Sequence, residues 1–110
     1  MVLPYLLGLS FLVLGKYDEA EEVFAAVLQS DTEIVSDKYA VLAGLAVISV
    51  FRQNLENAEK YASQLTELVV YGKKFNISVL APIFGLMKEQ EFAKRFLDAL
   101  RQLGVPDKSE

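Results

Sequence analysis

A small residue, a side chain one helical turn beyond it, and an alanine twelve positions after the small residue recur three times along the chain. The first set is Gly8, Phe11 and Ala20, within Leu7-Gly8-x-x-Phe11 and Gly15-Lys16-Tyr17-Asp18-Glu19-Ala20, with Phe24 following. The second is Ala46, Ser49 and Ala58, with Ala62 and Leu65 following, and the third is Ala81, Phe84 and Ala93, with Leu97 and Leu100 following. The alanines, like the small residues before them, stand 38 and then 35 positions apart. A period in this range predicts helical hairpins that each bury an apolar face against the next.

The 110 residues suit one domain, and a hydrophobic content of 53% predicts helices buried on more than one face. A net charge of −4 with only 11 basic side chains argues against nucleic acid as a partner, because phosphate binding needs a clustered positive face. The chain has no Cys and no His, which removes disulfides, thiolate chemistry, imidazole catalysis and the usual zinc ligand sets. That composition fits a reducing cytoplasm, the expected location. The apolar run from Val2 to Leu14 lacks the basic flank and cleavage site of a secretory signal. The run from Tyr39 to Phe51 falls short of the roughly 20 residues a bilayer requires. No membrane span is expected.

Helical periodicity predicts six helices. The first runs from about Val2 to Gly15, where glycine supplies a left-handed stop. The second places Asp18 and Glu19 in its first turn and buries Ala20, Val23, Phe24, Val27 and Leu28. Ser30-Asp31-Thr32-Glu33 has the form of a capping box, and Ser36 or Asp37 offers a competing start to the third helix. That helix continues to Phe51, apolar almost all round, with Ala40, Ala43, Gly44 and Ala46 allowing close neighbours. Asn54 caps a fourth helix whose apolar stripe extends through Leu68 and Val69 to a stop at Tyr71-Gly72. A fifth starts at Ser78, so that Pro82 falls in its first turn, and runs to Met87. The last, about Gln90 to Leu103, ends at Gly104 and Pro106. No strand pair is expected, because no alternating run is bounded by hairpin turns.

Leu7, Gly8, Phe11, Gly15, Tyr17, Ala20 and Phe24 fall in an order and spacing that resembles the tetratricopeptide-repeat signature. The second unit keeps Leu45, Ala46 and Ala58, but Gln53 and Leu55 stand where that signature has glycine and tyrosine. The third keeps Leu80, Ala81, Phe84 and Ala93, and Pro82 departs from the pattern. Both intervals exceed the roughly 34 residues usual for the family, so stretched repeats are expected. The resemblance implies an all-α fold, a right-handed superhelical stack of about three antiparallel hairpins. Its units would span roughly 2–31, 32–71 and 75–104 of a single domain at 1–104, followed by a flexible tail at 105–110.

The resemblance implies a non-catalytic scaffold that binds another protein or peptide, or self-associates as a homodimer, through the concave face. The residues matching that face are Tyr5, Leu9, Leu12, Val13, Val47, Val50 and Phe51. They form either a groove for an amphipathic helix or apolar segment, or core covered by another helix or a second copy. The family also allows a small chaperone for an exported hydrophobic protein, or a structural or oligomerisation segment of a larger regulator. Apart from Tyr5 these positions are aliphatic or aromatic hydrocarbon, which disfavours clamping of a peptide carboxylate.

Little in the chain suggests chemistry. Asp18, Glu19, Glu21 and Glu22 form its densest acidic cluster, but a helix's solvated opening turns account for them. Ser10, Ser49 and Ser63 have no histidine base, and no Gly-rich loop follows a strand. No enzyme activity, metal or cofactor is expected.

Overall fold

The computed structural model describes residues 4–29, 35–70, 72–80 and 90–107, with side chains for all of these except 4–6, 35–37 and 70. Among the described residues the fold is all-helical apart from one minimal hairpin. Helices α1 (Pro4–Val13), α2 (Tyr17–Gln29), α3 (Val35–Phe51) and α4 (Leu55–Thr66) follow in turn. Strands β1 (Val69–Val70) and β2 (Lys73–Lys74), a 3-10 turn at Ile77–Leu80 and α5 (Gln90–Gln102) complete the order. The expected capping box at Ser30–Glu33 lies outside the described residues, as do Ala81, Pro82, Phe84 and the rest of the expected fifth helix beyond Leu80.

Each helix packs on the next. α1 lies on α2, α2 on α3 and α3 on α4, and α3 also touches α1 and α5. The near-continuous apolar surface of α3 explains its central place, since every face from Tyr39 to Ser49 is buried. Ser49 is the polar exception, and its hydroxyl is satisfied by donating to the Leu45 carbonyl at 3.0 Å.

The repeated small residues lie at the helix contacts. Gly8, Ala20, Ala46, Ala58 and Ala93 are all buried. Phe24 of α2 inserts its ring between α1 and α3, where Gly8 and Gly44 face it. A Cβ added at either glycine would come within 2.6 Å of Phe24 Cζ. The ring therefore occupies the space that two side chains would need.

The α1–α2 and α3–α4 connections share one backbone plan. At the first, Gly15 N–H donates to Leu12 O at 3.0 Å and Lys16 N–H to Phe11 O at 2.9 Å. At the second, Gln53 N–H donates to Val50 O at 3.0 Å and Asn54 N–H to Ser49 O at 2.8 Å. Both are the paired 5→2 and 6→1 bonds of a Schellman stop, which needs a left-handed residue. Gly15 has φ 76° and Gln53 has φ 61°. The next helix then starts identically, with Ala20 N–H on Lys16 O at 3.0 Å and Ala58 N–H on Asn54 O at 3.1 Å. Every group in the second set stands 38 residues beyond its counterpart in the first.

The fourth helix is shorter than its apolar stripe predicts. It stops at Thr66, where the Glu67 N–H caps against Ser63 and Leu65 carbonyls, and the chain turns into a two-residue antiparallel ladder. Val69 pairs with Lys74 and Val70 with Lys73, around Gly72 at φ 79°. This strand pair corrects the expectation of none. Its physical basis is the buried Phe75, whose N–H donates to Leu68 O at 2.9 Å and whose ring lies 5.6 Å from that of Tyr39. A helix continued to Tyr71 could not return the chain to that socket.

The stretch after α5 is also more ordered than a frayed tail. Val105 is buried, Pro106 O accepts from Ile77 N–H at 2.8 Å, and Asp107 O accepts from Ser78 N–H at 3.0 Å. Arg101 donates to Asp107 and Asp98 at 2.7 Å each, and these bonds, Asp107's foremost, raise its pKa further above the usual guanidinium value. Residues 105–107 thus tie the end of the chain to the 3-10 turn, and 108–110 lie outside the described residues.

Candidate docking cleft

The hairpin plan brings three distant stretches to one opening. The α1–α2 connection contributes Leu12, Val13, Gly15 and Tyr17, the last residue of α3 contributes Phe51, and the first turns of α5 contribute Glu91, Phe92 and Arg95. They surround a cleft of about 490 Å³. Its wall is aromatic. The Tyr17 and Phe51 rings are tilted against each other with centroids 5.9 Å apart, and Phe92 is backed by Phe96 at 6.0 Å.

Charge is confined to the edge. The guanidinium carbon of Arg95 lies 5.1 Å from the Phe51 ring centroid, within cation–π range. Among the described residues Arg95 has no carboxylate partner. Its neighbour across the opening, Arg52, is by contrast committed, donating to Asp18 and, at 3.4 Å, to Glu21 of α2. The cleft therefore presents apolar ring faces beside one guanidinium and one carboxylate, a surface suited to an apolar side chain with a polar rim. Nothing in the lining pairs a nucleophile with a base. Among the described residues no group of His, Cys, Asp and Glu is arranged to hold a metal ion. A second opening of about 320 Å³, between α4 and the end of α5, is lined by Glu59, Ala62, Ser63, Thr66, Leu103 and Gly104 and lacks aromatic walls.

The residues expected on the concave face divide. Val47 and Leu9 are core: Val47 is fully buried, and Leu9 lies against the same cluster. Placing them on a binding surface is therefore corrected. The reason is that α3 is enclosed by α1, α2, α4 and α5, so its apolar residues are used up in covering one another. Leu12 is buried yet forms part of the cleft floor, and Val13 and Phe51 are half-buried at its wall. Val50 is half-buried against the core without lining the cleft. Tyr5 falls in the first turn of α1, and its side chain is outside the described residues.

Tyr17, Phe92, Arg95 and Glu91 were not among the expected site residues. Phe92 reads in the sequence as one more apolar position of an amphipathic helix. Only the crossing of α5 on α3 sets it near Phe51, and no local spacing encodes that crossing.

No helix among the described residues is long and apolar enough to cross a membrane. Comparisons of the chain with protein-family models, curated proteins and solved structures return no match.

Proposed function

We propose that this chain is a tetratricopeptide-like stack of three helical hairpins that works as a non-catalytic, cytoplasmic protein-interaction module. Its partner contact is the cleft around Phe51, taking an apolar side chain from an amphipathic helical segment. The observation that carries the reading is the equivalence of the first two hairpins. The same stop, the same helix start and the same buried alanine recur at a constant offset of 38 residues. An ordinary bundle has no reason to repeat its hydrogen bonds at a fixed interval, whereas a repeat array must. The order of helix contacts, each on the next and α1 also on α3, is the order such a stack requires.

The interaction role rests on the cleft's make-up. Aromatic side chains and arginine are the residue types that concentrate binding energy at interfaces, and Tyr17, Phe51, Phe92 and Arg95 converge here. The test is affinity capture from native extract, followed by titration of the captured partner against Phe51→Ala and Phe92→Ala. Each variant should weaken binding at least about tenfold, as expected for an anchor worth more than 1.4 kcal/mol, with helicity by circular dichroism unchanged. A partner held equally well by both folded variants would remove the cleft from the reading.

A further inference from the structure

A second surface lies on the other side of α1. This helix is the only one of the described α-helices without an Asp, Glu, Lys or Arg. Its burial follows the helical period. Gly8, Leu9 and Leu12 face inward, Leu7, Ser10 and Leu14 face outward, and Phe11 lies at the boundary. Leu14 follows the last helical residue but keeps its register, because its N–H donates to Ser10 O at 3.2 Å. Leu7 is 45% and Leu14 67% exposed. The other open large apolar side chains, Leu28, Leu55 and Val69, stand singly on three different elements.

We propose that this stripe is the contact face of a homodimer, with α1 packed antiparallel against α1 of a second copy. The argument is self-complementarity. A two-fold interface must place residue i on j and j on i. With the axis beside Ser10 and Phe11, Leu7 of each copy meets Leu14 of the other, and the small Ser10 at the centre lets the helices approach. The two leucines are separated by about 10 Å along the helix, so both pairs form in one straight contact.

Charge selects the same occupant. The chain carries −4, and a second copy carries the same sign, so copies can meet only through a face that buries no like charges. α1 meets that condition, and α2, with Asp18, Glu19, Glu21 and Glu22 exposed, does not. A cationic partner would be drawn to α2 instead. The face is short, well below the roughly 1,200 Å² of a stable interface, so the dimer forms in the micromolar range or above. The surface is separate from the cleft, and the proposal does not depend on the function assigned there.

Sedimentation equilibrium of the full chain from about 1 µM to about 500 µM tests the dimer across that affinity range. The wild type should pass from monomer to dimer. Leu14→Glu should weaken dimerisation at least about tenfold with unchanged helicity, since a buried unpaired carboxylate opposes association. Leu55→Glu, at a side chain 52% exposed but off the stripe, should leave it unchanged, and so should Phe51→Ala. The absence of native Cys makes cross-linking a second, independent readout. Under mild oxidation, a mixture of the single variants Leu7→Cys and Leu14→Cys should give the mixed species in excess of either self-linked one. A monomer throughout the range, a dimer indifferent to Leu14→Glu, or equal loss in Leu55→Glu would overturn the proposal. Predominant Leu7→Cys self-linkage would overturn the antiparallel arrangement.

Discussion

The α1–α2 and α3–α4 connections reach one backbone conformation from different residues. Gly15 adopts its positive φ without steric cost, whereas Gln53 adopts nearly the same angle with a Cβ in place. The packing beside each connection differs more. In the first hairpin Phe24 fills the space between Gly8 and Gly44, and 38 residues later its counterpart is Ala62. The shared part is the backbone framework and the alanine notch, and the variable part is what fills the gap. An array can thus keep its period while its residues drift, because the hydrogen bonds and the interaxial distance set the period.

The largest test of that contrast is Phe24→Ala. It removes a fully buried ring held between two glycines, and it should cost about 3–5 kcal/mol in urea unfolding because Gly8 and Gly44 have no side chains to refill the space. Ala62 already has no such ring, so the stability difference between the hairpins should narrow. A loss below about 1 kcal/mol would mean that the socket collapses at little cost, against its apparent dependence on the ring.

Next come the notches. Ala20 and Ala58 are both fully buried at equivalent places, so Ala20→Leu and Ala58→Leu should each overpack a helix contact and cost about 1–3 kcal/mol. Similar losses in the two variants sharpen the equivalence. One neutral variant would break it. A smaller, one-sided effect belongs to Asn54, whose side-chain oxygen accepts from Asn57 N–H at 3.3 Å and caps α4. Asn54→Ala should cost about 1 kcal/mol, while Lys16→Ala at the matching place, where no side-chain cap exists, should cost almost nothing.

How much of this was legible follows from the range of the interaction involved. Gly15, Asn54 and Gly104 stop or start helices through neighbours within five residues, and each does so where the sequence placed it. The alanine spacing likewise marked buried contacts, because a notch is written in residue size. The hairpin at 69–74 was missed because Leu68 and Val69 continue the helical stripe of α4. What ends the helix is the distant socket for Phe75 beneath Tyr39. The binding face was half legible for the same kind of reason. Apolarity named Leu9, Leu12, Val47 and Phe51 alike, and only the placement of α5 across α3 decided which were covered and which lined an opening. Arg95 gave no local signal at all, since its role comes from lying over a ring in another helix.

The finest test exchanges the two stop residues. Gly15→Gln puts a Cβ at φ 76° with nothing within 4 Å of it, so the cost is purely conformational. A left-handed L-residue loses about 1–2 kcal/mol, partly offset by the about 0.5–1 kcal/mol of entropy that glycine forfeits on folding, so the net loss should be about 0.5–1 kcal/mol. Gln53→Gly runs the same balance in reverse. Gln53 is exposed and its side chain makes no hydrogen bond among the described residues, so nothing beyond the backbone is lost. The variant should gain about 0.5–1 kcal/mol in urea unfolding with an unchanged m-value. The double exchange should then return close to the wild-type stability, because the two sites are in different connections and share no partner. A Gln53→Gly variant less stable than the wild type would show that the second connection is held by something other than the backbone plan it shares with the first.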